Sequence, residues 1–436
     1  MAIKNFSELL GDPSIGSAHA APIEPRPEPV PRPIFCPVIS VDDHALEPPN
    51  LFVDRLPRRF LDHAPRFVEP EDNWPHWLID GERVNMSGGN ATSGLMPKDW
   101  FRFALRYSEL RDAVWKPDVR IRDMDLNGVW ASLNFPSMVF NFTATRLWKM
   151  SDPELGLACI RAYNDWILEE WCAAAPDRFI PCQVPWHPDP VKAAAEIRQN
   201  ASRGFRAVTF SENPELLGLP SIHTGHWDPF FAACEETGTV INLHVGSSGH
   251  VHMPSSDSPV PLSVVLFPLN AIEAIVDWIY SRIPIRFPKL KIVLSEGGAS
   301  WVPMIVERLN RAQRSLEAQT YWTTNDPHPV DVLRNSFWFA SIEDPSAFRI
   351  LDVVGEDRMM VETDYPHPDS TWPDSQALFA QQMEALPEAT VRRICFGNAA
   401  ELYTHPEPPQ SMIDASTFWS TSQSGGPSSV ESAARV

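Results

Sequence analysis

The sequence predicts an α/β fold: a (β/α)8 TIM barrel with an insertion after its first strand and extended Pro-rich termini. Short apolar, β-rich runs recur eight times, at PVISVD (37–42), GVWASLNF (128–135), RFIPCQVP (178–185), FRAVTF (205–210), TVINLHV (239–245), LKIVLSE (290–296), SFWFASI (336–342) and RMMVETD (358–364). Amphipathic helical patterns stand between most of them, as expected of parallel strands covered by helices. No GxGxxG follows the first run, which argues against an open doubly wound sheet, and a count of eight favours closure.

Taken in order, residues 1–36 form an N-terminal arm whose AAPIEPRPEPVPRPIFCP stretch is extended and polyproline-like. The barrel is expected over 37–404. Residues 45–120 interrupt its rhythm. There Asp80-Gly81 stands between short runs, a hairpin signal, while Trp74, His76, Trp77, Trp100 and Phe101 supply apolar mass. This insertion either caps the barrel mouth or serves as a packing loop. Ser151 with Glu154 three residues on reads as a capping box for SDPELGLACIRAYNDWILEEWCAAA. DPVKAAAEIRQNASR, DPFFAACEETG, LNAIEAIVDWIYSRI, WVPMIVERLNRAQRSL and DPSAFRILDVVG complete the helical set. Residues 405–436 are polar and Ser/Pro-rich, a flexible tail in which Phe418 and Trp419 could dock. Residues 1–36 and about 410–436 are expected to add little stability.

The composition narrows the functions. A hydrophobic share of 43% supports a substantial core, and a net charge of −20 disfavours nucleic acid, which needs a basic face. No apolar run is read as approaching the ~18 residues of a membrane span, and the N-terminus lacks the pattern of a secretory signal. Six dispersed cysteines without a CxxC pair fit reduced thiols and a cytoplasmic setting.

In such a barrel the functional side chains come from the strand C-termini. The first strand ends in Asp42, Asp43 and His44, the fifth in His244, the sixth in Glu296-Gly297-Gly298, and the eighth in Asp364, with His367 just beyond. Any one of these has an ordinary explanation as a cap, a solvated acid or a satisfied core histidine. Four strands delivering acids and imidazoles to one rim do not. Alternation puts Asp42 and His44 on one face of their strand. Clustered buried carboxylates repel unless a cation joins them, and a mixed imidazole–carboxylate set suits zinc, manganese or iron.

These residues carry a resemblance. ISVDDHALEPPNLFVDRLP, RAYNDWILEEWC, DRFIPCQVP, GLPSIHTGHWDPFFAACEETGTVINLHVGSSG, LSEGGASWVPMIVERL, VETDYPHPDSTWP and ICFGNAAELY, in this order over roughly 37–403, resemble the amidohydrolase-related group of the amidohydrolase superfamily. That group includes aminocarboxymuconate semialdehyde decarboxylase and the resorcylate-type decarboxylases. The resemblance implies a barrel with one divalent metal held by an acidic variant of a His-x-His pair, here Asp42-x-His44, with His244 and Asp364. Family decarboxylases often carry a histidine before the strand-six glycines; Glu296 stands there, so carboxyl chemistry replaces imidazole chemistry. Adding Glu47 and Glu296 to the set gives enough ligands for two metals, as in dinuclear barrel oxygenases.

The remaining histidines divide. His187, after the third strand, and His226, before a helix, are candidates for substrate binding, together with His367. His223 reads as a cap, and His250 and His252 as solvated loop residues. Trp74, Trp77, Trp130, Phe135 and Trp372 would suit an aromatic or apolar acid. The expectation is a metal-dependent hydrolase or carboxy-lyase for a small carboxylic acid or amide, with Asp364 as base or ligand and Glu296 as proton shuttle. The alternatives are a dinuclear iron or manganese–iron oxygenase and a non-catalytic partner subunit. A homo-oligomer, or a hetero-oligomer with a related subunit, is expected.

Overall fold

The computed structural model describes residues 23–418 except 72, 73, 86, 101 and 260. The barrel strands are β1 (Val38–Ala45), β2 (Val129–Pro136), β3 (Phe179–Ile180 and Cys182–Gln183), β4 (Ala207–Phe210), β5 (Val240–His244), β6 (Ile292–Ser295), β7 (Phe337–Ser341) and β8 (Met359–Val361). Each pairs in parallel with the next. Pro181, which has no N–H for a ladder, splits β3 into one piece on β2 and one on β4. The seam between β8 and β1 is closed by the Asp364 N–H on the Asp42 carbonyl (3.0 Å) and the His44 N–H on the Tyr365 carbonyl (2.8 Å). Nearly every strand residue is buried, because helices cover the sheet outside and side chains fill it inside.

The insertion forms a sheet of its own and packs against the loop after β8. Arg66–Val68, His76–Ile79 and Glu82–Val84 form a small antiparallel sheet. Its turn puts Asp80 and Gly81 at φ of 50° and 82°, the left-handed pair that a two-residue hairpin requires. Trp77 is buried among Phe52, Phe67 and Phe140. Beyond it the chain settles on the loop after β8: the Thr92 hydroxyl and the Ser93 N–H both donate to the Pro366 carbonyl, at 3.0 and 3.2 Å. Phe101 lies outside the described residues.

Three local expectations change. The helix after β2 is capped by Asp152, whose carboxylate accepts from the N–H groups of Glu154 and Leu155, while Ser151 turns away to donate to Asp80. The segment 344–355 forms short turns at Ala347–Arg349 and Leu351–Val354. The helix before β6 starts earlier and spans Pro261–Tyr280, and among the described residues it alone is long and apolar enough to cross a membrane. Asn270, Glu273 and Asp277 interrupt its apolar run, but too sparsely to lower its mean hydropathy below 1.7. Its second half packs on the barrel, while Val264 and Val265 in the first half are exposed.

The arm and tail are fastened where they are described. Arg26 reaches the Trp372 carbonyl (3.2 Å) and its N–H donates to Gly94 (3.0 Å), while Glu28 pairs with Arg111 (2.8 Å). The Cys36 N–H donates to Gln376 (3.1 Å), and Phe35 meets Phe418 at 5.9 Å between ring centres. Trp130 donates to the Pro406 carbonyl (3.0 Å), which ties the indole to the tail and away from the mouth. Residues 1–22 and 419–436, with Trp419 among them, lie outside the described residues. Composition alone does not reveal these anchors, which join residues hundreds of positions apart. Deleting residues 1–36 is therefore expected to lower the melting temperature by more than about 3 °C. A thermal melt unchanged by the deletion would show that the strapped arm adds nothing.

Candidate metal centre

β1 turns Asp42 and His44 inward and Asp43 outward, as strand alternation requires. All three are buried. Asp43 is wholly occupied by protein donors: Ser40 (3.0 Å), Thr363 (2.7 Å) and the Tyr365 N–H (3.0 Å) on one oxygen, and Ser132 on the other. It thereby ties β1 to β2 and β8. Asp42 is the opposite case, since neither carboxylate oxygen has a hydrogen-bond partner.

Both imidazoles have their Nδ1 beside a backbone carbonyl, His44 on Pro136 (3.2 Å) and His244 on Val245 (2.7 Å). With Nδ1 as donor, each Nε2 presents a lone pair, and the two Nε2 atoms face each other at 3.2 Å. His44 Nε2 is also 3.4 Å from Asp42 Oδ1 and 3.2 Å from Asp364 Oδ1, and His244 Nε2 is 3.6 Å from Asp42 Oδ2. Donors bound about 2.1 Å from one ion lie about 3.0–3.4 Å apart around a tetrahedral or octahedral centre. The spacing thus suits a shared cation, and converging lone pairs and orphaned carboxylates would otherwise repel. Asp364 has no directed hydrogen bond on either oxygen, although His367 Nδ1 lies 3.0 Å from Oδ1.

A second, overlapping group consists of His44, Glu296, Asp364 and His367. The His367 ring stacks on His44 with centres 3.6 Å apart. Glu296 Oε2 lies 3.5 Å from His244 Nδ1, and Glu296 is the one partly exposed member, with a side-chain exposure of 10%. Glu296 and Asp364 both hold left-handed backbone, at φ of 58° and 47°, a strained geometry for residues with a side chain.

The electrostatics follow from burial without counter-charge. Burial first, then neighbouring acids, holds the carboxyls of Asp42, Glu296 and Asp364 well above their ordinary range. Burial lowers His44 well below its usual value, and His244 and His367 to about 3, so all three imidazoles are neutral at pH 7. The buried Arg120 guanidinium gives its N–H groups to the carbonyls of Ala113 (2.8 Å) and His44 (2.6 Å).

Other expected residues lie elsewhere. Glu47 joins neither ligand group; its carboxyl takes the Ser137 N–H (3.0 Å) and hydroxyl, because the chain turns away after Ala45. His187 also joins neither. It sits among Trp148, Phe210 and Trp227, lowered to about 4 by burial, with Nε2 unpaired. His226 packs edge-on against Trp227, likewise outside both groups. His223 and His252 pair with Asp277 and Glu273 on the helix before β6. Of the aromatics singled out, Phe135 touches both central histidines, whereas Trp372 lies under Arg26 and Arg111.

Three residues escaped the sequence reading. Phe142 stacks on His244 at 3.8 Å with no motif to mark it. Glu362, fully buried and raised to about 8 by burial, accepts the Glu296 N–H at 3.1 Å. It lies two residues before Asp364, and strand alternation could have found it. Glu212, just past β4, is buried and accepts three donors.

The imidazole–carboxylate set at the C-terminal rim of this (β/α)8 barrel is a candidate metal site of the kind such barrels build from their strand ends. The amidohydrolase family model matches residues 107–404, so the chain belongs to the amidohydrolase family. The match begins after β1 and therefore omits Asp42 and His44. A Dictyostelium discoideum protein named 2-amino-3-carboxymuconate-6-semialdehyde decarboxylase is 25% identical over 305 residues, covering 68% of this chain and 78% of its own length. An amidohydrolase structure from Mycobacterium avium subsp. paratuberculosis K-10 superposes with a TM-score of 0.66 at 24% identity, over 84% of this chain and 99% of that one. A dihydroxybenzoic acid decarboxylase from Polaromonas sp. JS666, with bound manganese and 2-nitroresorcinol, gives a TM-score of 0.58 at 18% identity, over 85% and 97%. These two structural likenesses establish the barrel fold.

Glu47 offers a test separate from the centre. Burial raises its carboxyl from 4.5 to about 7. The folded chain then binds this proton more tightly than the unfolded one. Its stabilising share is complete below about pH 4.5 and is lost as pH rises through about 7. Glu47→Gln is expected to stabilise the protein at pH 8 by on the order of 1–3 kcal/mol, with the gain vanishing toward pH 4.5. Denaturant unfolding at both pH values measures it, and an equal effect at each would refute the assignment.

Proposed function

We propose that the chain is a metal-dependent carboxy-lyase acting on a small aromatic carboxylic acid. The observation that carries this reading is the position of Glu296, a carboxyl at the one partly exposed edge of an otherwise sealed centre, 3.5 Å from His244 Nδ1. The names of the Dictyostelium discoideum relative and the Polaromonas structure support decarboxylation over hydrolysis. Asp42, His44, His244 and Asp364 would hold one divalent ion, which when bound supplies positive charge to neutralise and orient an acidic substrate.

The chain's own residues supply the rest. Phe142 and Phe135, packed against the histidines, offer apolar faces to a ring. Glu296 carries the proton that the carboxylate-bearing carbon takes up. As the C–H bond forms, the bond to the carboxylate breaks, its electron pair returns to the ring, and CO2 leaves. Water at the exposed edge restores the Glu296 proton. The insertion, resting on Pro366, keeps bulk water away while this happens.

CO2 release from a panel of aromatic acids, dihydroxybenzoates and 5-carboxyvanillate included, tests the reading with manganese-loaded protein. Glu296→Gln is expected to cut turnover by about 10²–10⁴-fold while the metal stays at about one per chain. Amine release from amides, with no CO2 from any acid, would overturn it in favour of hydrolysis.

The second group, His44, Glu296, Asp364 and His367, favours one competing reading, a dinuclear oxygenase. There Glu296 is a ligand. Elemental analysis would find about two metals per chain, falling to about one in Glu296→Gln, because a neutral amide poorly replaces a carboxylate beside a dication.

A further inference from the structure

Glu212 has no part in the chemistry above, yet it is 4% exposed and its Oε1 collects three donors: the Gly246 N–H (3.1 Å), the Ser248 hydroxyl (2.7 Å) and the Asn270 amide (2.8 Å). Its own N–H donates to Ser247 Oγ (3.0 Å), and Trp278 donates to its carbonyl (3.3 Å). Asn270 also holds the His250 carbonyl (2.8 Å). The bonds to Gly246, Ser247 and Ser248 grip the turn that immediately follows His244, while Asn270 and Trp278 hold Glu212 to the helix before β6.

Gly246 is the informative partner. Its N–H and the Val245 carbonyl belong to one peptide unit, and that carbonyl faces His244 Nδ1 at 2.7 Å. Gly246 sits at φ 80°, so the turn needs a residue free to adopt left-handed backbone. An oxygen acceptor on the N–H side of a peptide polarises the carbonyl on the other side, making it a better acceptor. The Nδ1 proton of His244 has a rival acceptor in Glu296 Oε2, but at 3.5 Å it is more distant.

We infer that Glu212 is a positioning residue for the metal centre, acting through the Val245–Gly246 peptide to hold His244 with Nδ1 protonated and Nε2 aimed at Asp42 and His44. Metal-ligating histidines commonly donate their second nitrogen to a carboxylate or a carbonyl. Here the two are joined in series, with the peptide between them. The inference rests on the reading of Asp42, His44, His244 and Asp364 as the ligands of a divalent ion.

Two measurements test it on the full chain. The first is Mn2+ affinity by isothermal titration. Glu212→Ala is expected to weaken binding by about 10–100-fold, while Glu212→Gln, which keeps an oxygen acceptor, stays within a few-fold of wild type. The second is the ¹⁵N shift of the His244 ring nitrogens in metal-free protein, a readout that a role confined to loop packing would not move. Wild type and Glu212→Gln should show a single Nδ1–H tautomer, and Glu212→Ala a mixture. Should the alanine variant fail to fold, Glu212→Asp, one methylene too short to reach Gly246, takes its place in both measurements. A folded variant with wild-type Mn2+ affinity and an unchanged tautomer would overturn the inference. Wild-type protein that binds no Mn2+ would instead overturn the metal reading, leaving the tautomer comparison to decide the role of Glu212.

Discussion

The structure is organised around one unfavourable arrangement: buried carboxylates that face one another at the barrel mouth with no basic side chain, among the described residues, paired to them. Asp42, Glu296, Glu362 and Asp364 are pushed toward their protonated forms by burial and by one another. Isolated buried charge costs several kcal/mol per ion. Kept together, with two imidazole lone pairs aimed at the same point, these groups form a candidate cation site. The neutral histidines fit this, because a protonated imidazole cannot be a ligand.

What keeps the groups together is a set of contacts that contain no ligand atoms. Asp43 joins β1 to both neighbours, and Arg120 fixes the His44 carbonyl while lying against the rings of Tyr365 and Trp171. Left-handed backbone at Glu296 and Asp364 turns each side chain at the end of its strand, a geometry retained only when the surrounding packing imposes it. Stability and site geometry are therefore coupled: loosening β1 against β8 would disperse the carboxylates.

Three sequence-distant pieces meet beside the loop after β8. The insertion rests on Pro366, the loop after β8 carries Trp372, and the arm crosses both through Arg26 and Glu28. Arg26 and Arg111 both lie over the Trp372 ring. Glu296, 3.5 Å from His244 Nδ1, keeps a side-chain exposure of 10%.

Much of this was legible in the sequence. Apolar runs of strand length, alternating with amphipathic helices, determine a parallel barrel, because each element has to bury its apolar surface against the next. Strand periodicity determined that Asp42 and His44 share a face, and the strand-end positions of His244, Glu296 and Asp364 placed them at one rim. The same periodicity carried Glu362, which went unread. Glu47 shows where local pattern stops: three residues past His44, its direction is set by the turn after β1 and by Ser137, a partner 90 positions away. His187 and His226 were chosen by their place near strand and helix ends, but packing against Trp148, Phe210 and Trp227 decides where their rings lie. The fastening of the Pro-rich arm, the stacking of Phe142 on His244 and the grip of Glu212 on Gly246 belong to tertiary structure alone. Each depends on segments brought together by barrel closure, and no periodicity within one segment encodes a contact with another.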